Sequence, residues 1–287
     1  RMETNGELII AVLNYIEEHL QDHVTLQDVA AYSGYSPYHI HKLFTGMCDM
    51  PLHAYVRRRQ ISRGALLLVN SKQDIAEIAY ACGYLSQRSF HKAFVQLYRT
   101  SPAAFRKKGI AYELQKPLEL KLKPFVNQRE MKIEVQQWEE LLLEGYSANT
   151  KHGFHVIGRC HRQCNRAMRK YSLCDDACVV YGVNDYTDFD TEADQPAFQY
   201  FAGFAVSQVH NKKLTHMILP KGNYLVFTFY ADPKASMEPY AQDIYHNWLP
   251  QSAYRLRQDC RMDIVKYHAE NDQGIAEIAY CIPLLKA

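Results

Sequence analysis

Apolar residues recur at helical spacing through the first third of the chain, and one short pattern occurs there twice. Leu26, Val29 and Ala30 form a stripe that leads into Gly34, Tyr35 and Ser36. Ile75, Ile78 and Ala79 form a second stripe that leads into Gly83, Tyr84 and Ser86. Gly34 and Gly83 are 49 residues apart, as are Ala30 and Ala79, whereas Phe44 and Phe94 are 50 apart. The extra residue falls between Tyr84 and Ser86, in a turn, where a change of length is tolerated. The segment is a duplication. Each copy predicts a short helix, a glycine in the left-handed region, and a second helix capped by Ser36 or Ser86.

The second helices are expected over 37–47 and 87–97. One buries Ile40, Leu43 and Phe44, the other Phe90 and Phe94. Their opposite faces carry Tyr38, His41 and Lys42, then Gln87, Arg88, His91 and Lys92. Hydrogen-bonding side chains on the outer face of such a helix are what reading a major groove requires. Ser36 and Ser86 are also placed to reach a phosphate. Between the copies, Leu52–Asn70 has a helical pattern and carries Arg57, Arg58, Arg59 and Arg63. Some of these, Arg57 and Arg58 foremost, are expected on phosphate, and others are expected to tie the two copies together.

The pattern then changes. Residues 110–127 contain Pro117 and Pro124 and read as part of a linker over 109–130. Beyond it apolar and polar residues alternate, as at Met131, Ile133 and Val135 and at Leu225, Phe227 and Phe229. Strands are expected at 131–136, 141–148, 178–183 and 198–207, with a helix at 154–171. The order repeats, with strands at 214–219, 223–230, 263–268 and 275–282 and a helix at 235–249. The fold class expected is therefore an all-α domain over 1–108 and an α+β domain over 131–287, a duplicated unit with curved antiparallel sheets.

Length and composition narrow the function. The 287 residues suffice for two domains, and 47% hydrophobic with 22% charged residues is ordinary for a globular chain. No run of about 18 apolar residues is present, and the start lacks a secretory pattern, so a cytoplasmic protein with no membrane partner is expected. Residues 1–108 hold 13 Lys/Arg against 9 Asp/Glu, and the remainder 20 against 22. That asymmetry implies that only the front half meets a polyanion. Of the eight cysteines, Cys160, Cys164, Cys174 and Cys178 are spaced unlike a zinc ribbon. Val156, Cys160, Cys164 and Met168 share one helical stripe, which reads as core packing, with metal or redox sensing as the alternative.

Gly34-Tyr35-Ser36-Pro37-Tyr38-His39-Ile40-His41-Lys42-Leu43-Phe44 and Gly83-Tyr84-Leu85-Ser86-Gln87-Arg88-Ser89-Phe90-His91-Lys92-Ala93-Phe94 resemble the paired motifs of the AraC/XylS family of transcription regulators. Ser101-Pro102-Ala103-Ala104-Phe105-Arg106-Lys107 resembles the family's closing signature. The resemblance implies two recognition helices, with base readers at Tyr38, His41, Lys42, Gln87, Arg88, His91 and Lys92. It also implies double-stranded promoter DNA and RNA polymerase as partners, in a bacterial, nucleoid-associated activator.

Tyr200-Phe201-Ala202-Gly203-Phe204, Leu219-Pro220-Lys221-Gly222-Asn223-Tyr224, Trp248-Leu249-Pro250 and Cys281-Ile282-Pro283 resemble the GyrI-like effector-binding domain. That likeness implies a small hydrophobic or amphipathic ligand, such as a drug. Tyr200, Tyr224, Trp248 and Tyr280 belong to a dense aromatic set that reads as core packing or, taken together, as the lining of a ligand pocket. The family's buried acid belongs at Ala279; either Glu277, two residues earlier on the same strand face, substitutes for it, or the ligand is not cationic. No nucleotide-binding or hydrolase motif is present, so neither a cofactor nor a catalytic residue is expected. A redox or metal-responsive regulator and a hydrolytic back half stand as the alternatives.

Overall fold

A computed structural model describes residues 3–170, 178–191, 193 and 197–285. Two compact units divide the chain. One runs to Pro124 and also takes in Trp248–Ala253; the other is Phe125–Asn247 with residues from Tyr254 onward.

The first unit is helical: α1 (Asn5–Glu18), α2 (Leu26–Ser33), α3 (Pro37–Cys48), α4 (Leu52–Asn70), α5 (Ile75–Ala81), α6 (Gln87–Tyr98) and α7 (Pro102–Lys108). The duplicated pattern becomes two helix-turn-helix units, α2–α3 and α5–α6. In the first, Val29, Ile40, Leu43 and Phe44 are fully buried. In the second, Phe94 is ringed by Phe90, Tyr98 and Phe105 at centroid distances of 5.5, 4.8 and 5.2 Å. Burying each such ring contributes about 2–3 kcal/mol.

Helix α4 holds the copies in one unit. Ile61, Ala65 and Leu68 join the core of the second copy, and the Tyr55 ring lies 5.8 Å from that of Phe44 in the first. The Arg59 guanidinium donates to both Glu17 oxygens, at 2.8 and 2.7 Å, and Tyr55 donates to Oε1 at 2.7 Å. Burial raises the Glu17 carboxyl's pKa, but the Arg59 and Tyr55 hydrogen bonds outweigh it, leaving a net value below the ordinary one. Arg59 thus ties α4 to α1.

Segment Trp248–Ala253, expected from the sequence within the second domain, packs with these helices instead. The first N–H groups of a helix need acceptors from outside it. The Asn5 backbone donates to the Ser252 carbonyl at 2.9 Å, and its buried amide donates to the Leu249 and Ser252 carbonyls at 3.2 and 3.0 Å.

The second unit contains β1 (Lys132–Trp138), β2 (Leu141–Asn149), α8 (His155–Lys170), β3 (Val180–Asp185), β4 (Gln199–Ala205), β5 (Thr215–Leu219), β6 (Gly222–Ala231), α9 (Glu238–Gln242), β7 (Met262–Tyr267) and β8 (Ala276–Pro283). Among the described residues the eight strands form one antiparallel sheet in the order β1-β6-β8-β7-β3-β4-β2-β5. The order is symmetric about the β3–β7 pair. Each repeat lends its first strand to the other, β1 to β6 and β5 to β2, so neither half completes its sheet alone.

The helix expected over 235–249 is shorter. After α9 the chain widens into a π turn, Asp243–Trp248, and tightens at Leu249–Gln251. Pro250 removes a backbone donor and ends regular helix there, while the wide turn buries Ile244 and Tyr245.

Candidate nucleic-acid interface and ligand site

The two second helices begin alike. Ser36 caps α3 and Ser86 caps α6, each hydroxyl accepting from the backbone three residues on, at 3.4 and 3.1 Å. Each follows a glycine with positive φ, 73° at Gly34 and 81° at Gly83. Gly83 has a further reason to be glycine, since a Cβ there would meet the Leu20 carbonyl oxygen at 2.5 Å. At Gly34 nothing lies within 4 Å.

Their outer faces differ. On α6, Gln87, Arg88, His91 and Lys92 are all exposed. On α3, Tyr38 and His41 are 5% and 4% exposed, although the sequence placed them on an open face. Their rings are removed from water, which stabilises so much apolar area. Burial, reinforced by the charge of His53, brings the His41 imidazole down to about 4, so it is neutral at pH 7. Lys42 is half-buried with its ammonium 5.8 Å from the Tyr38 ring centre. Arg58 is exposed and Arg57 half-buried. The structure therefore groups Ser86, Gln87, Arg88, His91 and Lys92 on one accessible helix end.

In the second unit, strand register sorts the expected ligand residues. Tyr200 pairs with Asn184, Asn184 with Asp263, and Val265 with Tyr280, which places all five on one face. Helix α8 packs on that face through Cys160, Cys164 and Met168 against Tyr200 and Phe204. Tyr224 and Glu277 face the other way, and Trp248 lies in the segment that joins the first unit. The five expected ligand residues are thus not one cluster.

Glu277 is not a buried acid. Its side chain is 42% exposed and accepts from the Tyr230 hydroxyl at 2.9 Å. At the expected acid position Ala279 pairs with Lys266, whose ammonium lies 5.2 Å from the Trp138 ring centre and 5.9 Å from that of Tyr181. A lysine, not an acid, thus stands beside the expected acid position.

The buried acid is Asp263, which sequence reasoning missed. It is 2% exposed and accepts from Tyr280 at 2.8 Å and from Tyr245 at 3.2 Å. The signal was present: in Met262-Asp263-Ile264-Val265 an acid takes an inward place in an apolar alternation. Nearby, His161 Nε2 lies 2.6 Å from the Tyr200 hydroxyl, and burial brings this imidazole to about 4 as well. A second buried carboxylate, Glu144, accepts from the His210 and Asn211 backbones and from His216, and so pins the 206–214 loop.

Cys160 and Cys164 are buried in the α8 core, and burial pushes the Cys160 thiol up. Cys178 is half-buried, and Cys174 lies outside the described residues. Among the described residues, no group of three His, Cys, Asp or Glu side chains is arranged to hold a metal, and no helix is long and apolar enough to cross a membrane.

Comparison with known proteins matches residues 29–108 to a helix-turn-helix domain and residues 131–285 to the GyrI-like small molecule binding domain. The chain is similar to the "Right origin-binding protein" of Escherichia coli K12, 24% identical over 277 residues, 92% of this chain and 91% of that protein. It is 33% identical over 107 residues to the "HTH-type transcriptional activator AarP" of Providencia stuartii, covering 37% of this chain and 79% of that one. With the "Transcriptional regulator Rob" of Salmonella typhimurium it shares 31% identity over 115 residues, 39% of this chain and 40% of that one.

Proposed function

The chain belongs to the AraC-type transcription regulators that carry a GyrI-like small molecule binding domain, and on that premise we propose that α6 is its principal reader of promoter DNA. The observation that carries this is the open face of α6. Gln87, Arg88, His91 and Lys92 project from a helix whose other face, Phe90 and Phe94, is fully buried. An arginine there reads guanine by two parallel hydrogen bonds, and a glutamine reads adenine in the same manner. Ser86, Ser36, Arg57 and Arg58 supply phosphate contacts that set register. Tyr38 and His41, which are buried, and Lys42, which is half-buried, are the lesser readers.

Asp263, with Tyr245 and Tyr280, is the effector contact. A buried carboxylate under phenol hydroxyls suits a ligand bearing an organic cation or a hydrogen-bond donor on an aromatic body. Such a ligand shifts the protein only if it binds two states unequally. The regulator works in the bacterial cytoplasm at the nucleoid, as an activator that engages RNA polymerase, without catalytic turnover.

Footprinting on the promoter of its own gene tests this, with and without a lipophilic quaternary cation. Protection of about two turns of duplex is expected, with the protein concentration for half-protection moved by the cation. Absence of saturable, salt-dependent protection rejects the DNA reading. Protection indifferent to the cation in wild type and in Asp263→Asn alike rejects the effector reading alone.

A further inference from the structure

The second unit carries slightly more acid than base, yet its helix α8 contains no acidic residue in 16. Arg159, Arg162, Arg166 and Arg169 are exposed, and none forms an ion pair among the described residues. At 100° per residue these four positions fall within about 80° of arc, and at 1.5 Å per residue they span about 15 Å. They form one continuous cationic stripe along α8.

We propose that this stripe is a second nucleic-acid contact, which grips duplex phosphates independently of the helix-turn-helix units. Three observations favour a phosphate backbone as the occupant. A strand of duplex presents one charge per about 3.4 Å of axis, so 15 Å of stripe faces about four phosphates, one for each arginine. The cations are arginines, whose planar fork takes phosphate oxygens in pairs. The apolar side of α8, Val156, Cys160, Cys164, Ala167 and Met168, is buried, with Cys160, Cys164, Ala167 and Met168 packed against Tyr200, Ala202 and Phe204 of β4. A helix that lies in a lipid interface needs that side free. The contact carries no base readout, so it adds affinity and salt dependence without sequence preference. It also reverses the expectation from bulk charge that only the front half meets a polyanion: an average over 179 residues conceals a local stripe.

This inference rests on the proposed DNA binding and is tested so that the two fail separately. The full chain is titrated by fluorescence anisotropy against a random-sequence duplex of about 60 base pairs at several salt concentrations. With all four arginines changed to Gln, the slope of log affinity against log salt is expected to flatten by about 2–4 units, at about 0.9 per phosphate lost. The four-Lys variant should keep most of the slope. Should the four-Gln variant fold poorly, Arg159→Gln with Arg166→Gln and Arg162→Gln with Arg169→Gln are each expected to give about half the change. Equal slopes for wild type and Gln variants overturn the inference and leave the α6 reading intact. Stripe-dependent capture by phosphatidylglycerol vesicles or by an acidic protein, with the DNA slope unchanged, overturns it as well. A wild-type chain that binds no duplex removes both.

Discussion

Helices α3 and α6 descend from one repeated pattern, have the same length of 12 residues and share a serine cap, yet one is covered and the other open. The cap, the preceding glycine and the buried Phe44 or Phe94 are local necessities of a helix-turn-helix, and both copies keep them. The outer faces are under no such constraint. On α3 they are Tyr38 and His41, rings that carry no charge at pH 7; on α6 they are Arg88 and Lys92, whose charges stay hydrated. A duplication thus fixes a scaffold without fixing what each copy does with its free face.

The sharpest way to break the comparison is at the glycines. Gly83→Ala places a Cβ against the Leu20 carbonyl and is expected to cost several kcal/mol. Gly34→Ala meets no atom and should cost only the left-handed backbone penalty of about 1–2 kcal/mol. Chemical denaturation of both variants measures this, and equal losses would mean that the turns are equivalent.

Arg88→Ala with Lys92→Ala should weaken specific duplex binding by about 2–3 kcal/mol, with the melting temperature unchanged. Tyr38→Ala, by contrast, should lower stability more than affinity, because it removes a buried ring. Anisotropy and thermal unfolding on both variants separate the two helices. Affinity losses of the same size from both would show α3 to be an equal reader.

Acid should act on α3 through His41. His41 in the unfolded chain titrates near 6.5 but near 4 when folded, so protons favour unfolding as pH falls through that interval. Stability is complete above about 6.5 and should drop by about 1–2 kcal/mol by pH 5. His161 contributes in the same direction in the second unit. His41→Gln should flatten the dependence of the first unit's unfolding midpoint; a profile indifferent to this change would remove His41 from the account.

The smallest effect is expected where the copies agree. Ser36→Ala and Ser86→Ala should each cost about 1 kcal/mol through loss of a cap. A large difference between them would show that one hydroxyl does more than cap its helix.

Much was legible in one dimension. The duplication, the capping serines, the helix over 155–170 and all eight strands follow from spacing and alternation, because each is set by neighbours a few residues away. Exposure of the candidate residues was legible only where a local pattern carried it, as on α6, and not on α3. Along β8 the alternation already separated Glu277 from Tyr280, but the strand of origin for the buried acid was set by pairing with β7, which no spacing in the chain reveals. Likewise the arginines of α8 are plain in the sequence, but their availability depends on which side of the helix the sheet takes.

The sequence by itself determined the elements and the kinds of residue each could offer, since hydrogen bonding and apolar periodicity act over short separations. Tertiary structure alone decided which of those residues share a face, which acid is shut away from water, and which copy of a repeated helix stays open. Burial and pairing between distant segments are sums over contacts far apart in the chain, and that is why their outcome appears only after folding.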